Sequence, residues 1–205
     1  MENNNQIFTT ERLLTTLIIF ILLSGNIFFI VKWKTTDDFS QENYLLKTLM
    51  KADADLSKIS IDSQKAESYY AEASYSYEDG LYKSVESNCR LARDYYSEES
   101  QGYKKIKAEL ISKEIEDKLI NIYIESLDLL SDITNNMYEA CEHFESAARY
   151  YDKYYNTNVA YDDTSYDMGT AEIDNMNEKI REHDKNVNEY NDKLEEYRIE
   201  LSKRM

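Results

Sequence analysis

Two cysteines, two histidines and 40 acidic side chains are the material from which this 205-residue chain could build a site. Cys89 and Cys141 stand too far apart for a zinc site, which needs four closely arranged ligands. Both fall on apolar helical positions, where reduced cysteine serves as a small hydrophobe. The sharper reading is a disulfide joining the second and third helices, which requires the intervening turn to lie nearer residue 115 than Ser112. His143 and His183 lack the Glu-x-x-His partners that paired-iron bundles use, and Glu139 one turn before His143 is a single surface-type pair. Asp163, Ser165, Asp167 and Asp174 take positions 1, 3, 5 and 12 of an EF-hand-like calcium loop. That candidate departs from the pattern twice, with Met168 where the turn needs glycine and Asp174 where the last ligand is Glu. No nucleophile–base arrangement follows from two histidines in separate helical seams. The chain reads as a non-enzyme without a cofactor.

Charge and glycine usage exclude further classes. Lys and Arg number 24, the net charge is −16, and no basic patch offsets it, so a nucleic-acid partner is excluded. Gly25, Gly80, Gly102 and Gly169 are too dispersed for a phosphate loop or a dinucleotide fingerprint. Proline is absent and mean hydropathy is −0.70, which points to uninterrupted polar helices.

One stretch breaks that polarity. Leu13 to Val31 is 19 residues without a charge, including Ile18, Phe20, Leu23 and Phe28. As a helix it spans roughly 28 Å, close to the hydrocarbon thickness of a bilayer. Arg12 closes one end, and Lys32, Trp33 and Lys34 suit the headgroup layer at the other. A cleaved signal peptide would use Ser24-Gly25, but the preceding segment is not clearly basic and the apolar run continues past that point. The expected organisation is a polar tail over 1–12, a transmembrane anchor over 13–31, a linker over 32–43 and a helical bundle over 44–205. Positive-inside counting favours a cytoplasmic bundle, whereas large domains translocate largely regardless of charge. The balance falls slightly toward a cell-membrane protein with its bundle outside.

Beyond the anchor the aromatic residues change type. Five of six Phe lie at or before Phe39, and all 19 Tyr lie at or beyond Tyr44. The doublets Tyr69-Tyr70, Tyr95-Tyr96, Tyr150-Tyr151 and Tyr154-Tyr155 should each put one ring into a seam and leave the other flanking it. Spacing of three and four runs from Leu45, Leu49, Ala52 and Leu56 through Ile59, Ser63, Ala66, Tyr70, Ala73 and Tyr77, ending at Gly80. A second run takes Tyr82, Val85, Cys89, Ala92, Tyr96, Tyr103, Ile106 and Leu110, and a third extends from Ile115 to Tyr151. Residues 156–169 lack a period and read as a loop. In the last helix Ile173, Ile180, Val187, Leu194 and Leu201 stand seven apart, with His183 as a titratable interruption of the seam.

Two stretches also carry a pattern that resembles the tetratricopeptide repeat. Tyr69, Ala73, Gly80, Tyr82, Val85, Cys89 and Ala92 set a small residue before a turn glycine and an aromatic and an alanine after it. A poorer copy runs through Asn135, Met137, Ala140, Phe144 and Ala147, offset by 55 residues with Asn for Gly. The signature Trp, Leu-Gly and Pro are missing, and the offset differs from the repeat length of about 34. The resemblance implies a peptide-binding scaffold.

These patterns predict an all-α protein: one N-terminal transmembrane helix, then an elongated bundle of three or four long antiparallel, coiled-coil-like helices. The expected function is a non-catalytic scaffold or interaction module. Its expected partners are the lipid bilayer, an unidentified protein and, as a further candidate, a second copy of itself. The alternative is a ligand-sensing four-helix ectodomain working through a partner protein.

Overall fold

The computed structural model describes residues 40–156 and 163–204. They form four helices: α1 (Ser40–Glu78), α2 (Tyr82–Ile111), α3 (Lys118–Asn156) and α4 (Asp163–Ser202). No strand occurs among the described residues. The candidate anchor, Leu13 to Val31 with Trp33, lies outside them, and no described helix is long and apolar enough to cross a membrane.

The chain divides into two compact units, one ending at Ser57 and the other running from Lys58 to Met205. Of the first, the described part is the opening stretch of α1, where Leu45, Leu49, Ala52 and Leu56 are buried as their spacing predicts. Helix α1 begins at Ser40, so the last four residues of the expected linker are helical.

The second unit contains the bundle. α1 stops because Gly80 adopts a left-handed φ of 70°, open to glycine without a steric penalty. The Leu81 amide then donates to the Ser76 carbonyl at 2.8 Å and the Gly80 amide to Tyr77 at 3.0 Å, a Schellman closure that reverses the chain into α2. Helices α1 and α2 run antiparallel, with Tyr69 stacked on Tyr95 at 5.8 Å. The break between α2 and α3 falls at 112–117, where Glu114 takes a φ of 52°. Asp117 caps α3 by accepting from the Leu119 amide at 2.7 Å, and Arg204 grips the same carboxylate with two bonds of 2.9 Å. Burial works to raise the Asp117 carboxyl, but the Arg204 guanidinium and the backbone amides outweigh it and hold it below the usual carboxylate range. The Tyr70 hydroxyl reaches Met176 Sδ at 3.8 Å, bringing α1 to α4.

Helix α3 packs on both α2 and α4 and therefore buries two stripes. One holds Leu119, Ile122, Ile133, Met137, Ala140, Phe144 and Ala147; the other holds Ile120, Tyr123, Leu127, Leu130, Cys141 and Ala148. On α4, Ile180, Leu194 and Leu201 are buried, joined by Tyr190 and Tyr197. Ile173 and Val187 are only half-buried. A strict seven-residue repeat drifts around a straight helix of 3.6 residues per turn, so not every member of such a series faces the core.

The expected loop over 156–169 needs correction. Asp163 to Gly169 are the first two turns of α4. Asp163 supplies the acidic first turn that a helix N-terminus favours.

Candidate interaction surface

The tyrosine doublets place their rings where i, i+1 geometry requires. Tyr70, Tyr96 and Tyr151 are buried, while Tyr69, Tyr95 and Tyr150 flank them half-buried. Tyr154 and Tyr155 break the pattern, for neither is buried. They belong to a ladder of rings at the end of the bundle where α1 turns into α2.

That ladder starts inside. Tyr70 meets Phe144 at 6.1 Å, and Phe144 meets Tyr77 at 5.4 Å. Tyr77 touches Tyr151 at 5.9 Å and Tyr82 at 6.1 Å. Tyr82 stacks on Tyr155 at 5.8 Å with planes 8° apart. Tyr154 bridges Tyr155 at 4.7 Å and Tyr166 at 5.3 Å, and Tyr166 returns to Tyr151 at 5.6 Å. Offset and edge-on pairs of this kind add stabilisation beyond the area they bury. Gly169 makes room for the ladder on α4, because a Cβ there would lie 2.9 Å from the Tyr151 ring. Exposure rises along the series until Tyr166 and Tyr155 stand 44% and 56% exposed.

Burial pushes the Tyr77 hydroxyl up, with Tyr151 adding to it. Burial likewise raises Tyr82, reinforced by Tyr155, Tyr151 and Tyr166. Around them, Glu78, Asp79, Asp152, Asp163 and Asp167 outnumber Lys83 and Lys153. The result is an uncharged aromatic patch in an acidic setting.

The other candidate residues resolve individually. Cys89 and Cys141 are both buried free thiols that meet across the α2–α3 seam. The break at 112–117 is centred near residue 115, the register their approach requires. Burial, with the Cys89 thiol beside it, pushes the Cys141 thiol well up. His143 Nδ1 lies 2.6 Å from Glu172 of α4 rather than on Glu139, and Glu139 pairs with Lys179 at 2.9 Å. His183 is half-buried, 3.3 Å from its neighbour Asp184.

The calcium candidate is corrected. Asp163, Ser165, Asp167 and Asp174 lie on α4, where Ser165 is buried while the three aspartates are exposed. A helix sets the three aspartates along one side, with Asp174 about 10 Å beyond Asp167, and turns Ser165 away, so it does not wrap them around one ion. No cluster of three or more metal-ligating side chains occurs among the described residues.

Two buried carboxylates of the second unit were not anticipated. Glu145 on α3 accepts from Arg93 at 2.8 Å and from Arg90 at 3.2 Å on α2, and from Arg149 one turn further along α3. Glu99 on α2 accepts from the Tyr103 hydroxyl at 2.5 Å. A signal for each was present. Glu99 fills the vacant heptad position between Tyr96 and Tyr103, and Glu145 lies four residues after Cys141 and three before Ala148.

Comparison with known proteins gives no match to a protein-family model, a curated protein or a solved structure. The tetratricopeptide resemblance gains no support. Helix α1 alone has 39 residues, longer than an entire repeat of about 34. Turn glycine and heptad spacing reproduce the pattern at the α1–α2 hairpin without the repeat.

Proposed function

We propose that this protein is a non-catalytic interaction module, held at a membrane by the apolar segment 13–31, that docks a partner protein on its tyrosine-rich end. The observation that carries this reading is the continuity of the exposed Tyr155 and Tyr166 rings with the buried ladder behind them. Rings braced in this way lose little freedom on binding, and tyrosine is a residue type that dominates interface energetics. The acidic rim favours a partner with basic side chains, which would also stack over tyrosine faces. Placement of the bundle outside the membrane belongs to the same proposal.

A photo-crosslinking residue at position 155 tests it in native membranes. The expected result is one discrete adduct that disappears when Tyr166 or Tyr82 is changed to Ala. Adducts to lipid alone, or an adduct indifferent to those changes, would overturn the docking reading. Protease added to intact cells checks the topology: digestion without lysis places the bundle outside.

The second reading, a ligand-sensing ectodomain acting through a partner, draws on one specific observation, the uncompensated carboxylate in the interior at Glu99.

A further inference from the structure

Where α1, α2 and α3 meet, the bundle holds a patch of polar groups instead of apolar ones. Ser100 shares a hydrogen bond with Ser131 at 3.1 Å and donates to Asn135 at 3.0 Å. One turn away is Glu99, whose carboxylate is almost wholly buried. Its Oε1 accepts the Tyr103 hydroxyl, and its Oε2 has no hydrogen-bond partner. The hydroxyls of Ser63 on α1 and Thr134 on α3 also face it. Across from it on α1 stands Glu67, half-buried and close enough for the two charges to repel.

The groups acting on this pair offer no compensating cation. Asp62 comes from α1, Tyr96 and Tyr103 from α2, and Tyr190 from α4 acts on Tyr103. Lys65 is exposed and paired with Asp62 at 3.1 Å. On α4, Lys179 and His183 lie nearest in register, by the Tyr70–Met176 and Glu139–Lys179 contacts; the first pairs with Glu139 and Glu182, and the second lies beside Asp184. On α3, Thr134 and Asn135 are neutral. A buried carboxylate facing a half-buried one, met only by hydroxyls, does not ionise at ordinary cost.

We propose that Glu99, with Glu67 facing it from α1, forms a proton-binding site inside the bundle. A proton removes one negative charge from the low-dielectric interior and gives a carboxylate met only by hydroxyls a donor of its own. Ser63, Thr134 and the second carboxylate are then its acceptors. The proton is taken from solvent and returned to it, with no bond between heavy atoms changed. Burial pushes both carboxyls up to about 7, and for Glu67 the Glu99 charge contributes as well, so the site empties near neutral pH. This inference stands apart from the docking reading, because the tyrosine patch plays no part in it.

The test uses the full chain in detergent, with infrared difference spectra and thermal unfolding followed between about pH 6 and about pH 8.5. Wild type should show a carboxylic-acid carbonyl band at the lower pH that vanishes at the higher. Its unfolding equilibrium constant should rise at least about tenfold over that range. Glu99→Gln, a permanent mimic of the protonated acid, should abolish most of the band and flatten the pH dependence. Should Glu99→Gln fail to fold, Glu67→Gln gives the same readout, leaving a single carboxyl that titrates lower than the pair. Absence of the band at about pH 6, or equal pH dependence in wild type and variant, would overturn the proposal. So would stabilisation by sodium or calcium at about pH 8.5 in a chain that shows no acid band, which would assign the site to a metal cation.

Discussion

Glu145 and Glu99 are buried to nearly the same degree, 3% and 4% exposed, on neighbouring helices, and their surroundings are opposite. Glu145 sits among three arginines, one of which, Arg93, also donates to the Tyr138 hydroxyl at 2.9 Å with its guanidinium over the ring. Glu99 has a tyrosine hydroxyl and two further hydroxyls, and the charged groups acting beside it are the carboxylates of Asp62 and Glu67. Burial alone therefore does not decide whether an interior carboxylate keeps its charge. The partner decides. A guanidinium supplies both compensating charge and donors in a fixed fork, whereas a hydroxyl supplies a donor only.

Removing one member of each arrangement should separate them. Glu145→Ala has the largest expected effect, about 3 kcal/mol, because Arg93 is left part-buried against α3 with its main acceptor gone. Urea unfolding with an unchanged slope and a lowered midpoint would show it. A loss under about 1 kcal/mol would place the hub with exposed pairs of little consequence.

The pH dependence comes next. Both carboxyls of the Glu67–Glu99 pair are raised in the folded chain, so the fold binds protons more tightly than the unfolded chain does. The stabilisation is fully present below the unfolded value of about 4.3 and is lost as pH rises through about 7. The expected loss is on the order of 2 kcal/mol, read from unfolding midpoints across that window. In Glu145→Ala the same pH slope should persist, since the two carboxylates do not share partners.

Arg149→Ala sharpens the comparison at smaller scale. Its side chain is half exposed and also contacts Glu86 at 3.3 Å, so its loss should cost under about 1 kcal/mol in a double-mutant cycle with Glu145. Smallest of all, Tyr155→Ala should shift stability by no more than about 0.5 kcal/mol while removing a ring from the proposed docking patch. Comparing its thermal midpoint with the adduct yield from a photo-crosslinking residue at position 166 separates packing from recognition.

Most of the bundle could be read in the chain. Leu45 to Leu56, Ala66 to Ala73, Val85 to Leu110 and the apolar stripe of α3 are buried where a three–four spacing puts them, because that spacing is the geometry of a helix face, while Ile59 and Ser63 between them are half-buried. The start of α4 was not legible. Its Asp, Ser and Thr favour loops and helix beginnings alike, and only the tertiary contact of Gly169 with Tyr151 distinguishes the two. Nor was the interior charge legible. A glutamate at a heptad position looks much the same in sequence whether it meets arginines or hydroxyls, since Arg90 and Arg93 reach Glu145 from α2, and Ser63 and Thr134 reach Glu99 from α1 and α3.

The two thiols in the α2–α3 seam give the fold a means of timing its own breathing. Cys89 and Cys141 expose no surface when the seam is shut, so an alkylating reagent meets them only in molecules where those helices have parted. When reclosing is fast, the labelling rate divided by that of the same thiol in an unfolded peptide equals the fraction of time spent open. When the reagent is made fast enough to outrun reclosing, the rate stops rising with its concentration and reports the opening step itself. Two kinetic quantities, the frequency of opening and its duration, can thus be obtained from atoms the chain already carries, without any probe placed in the helices.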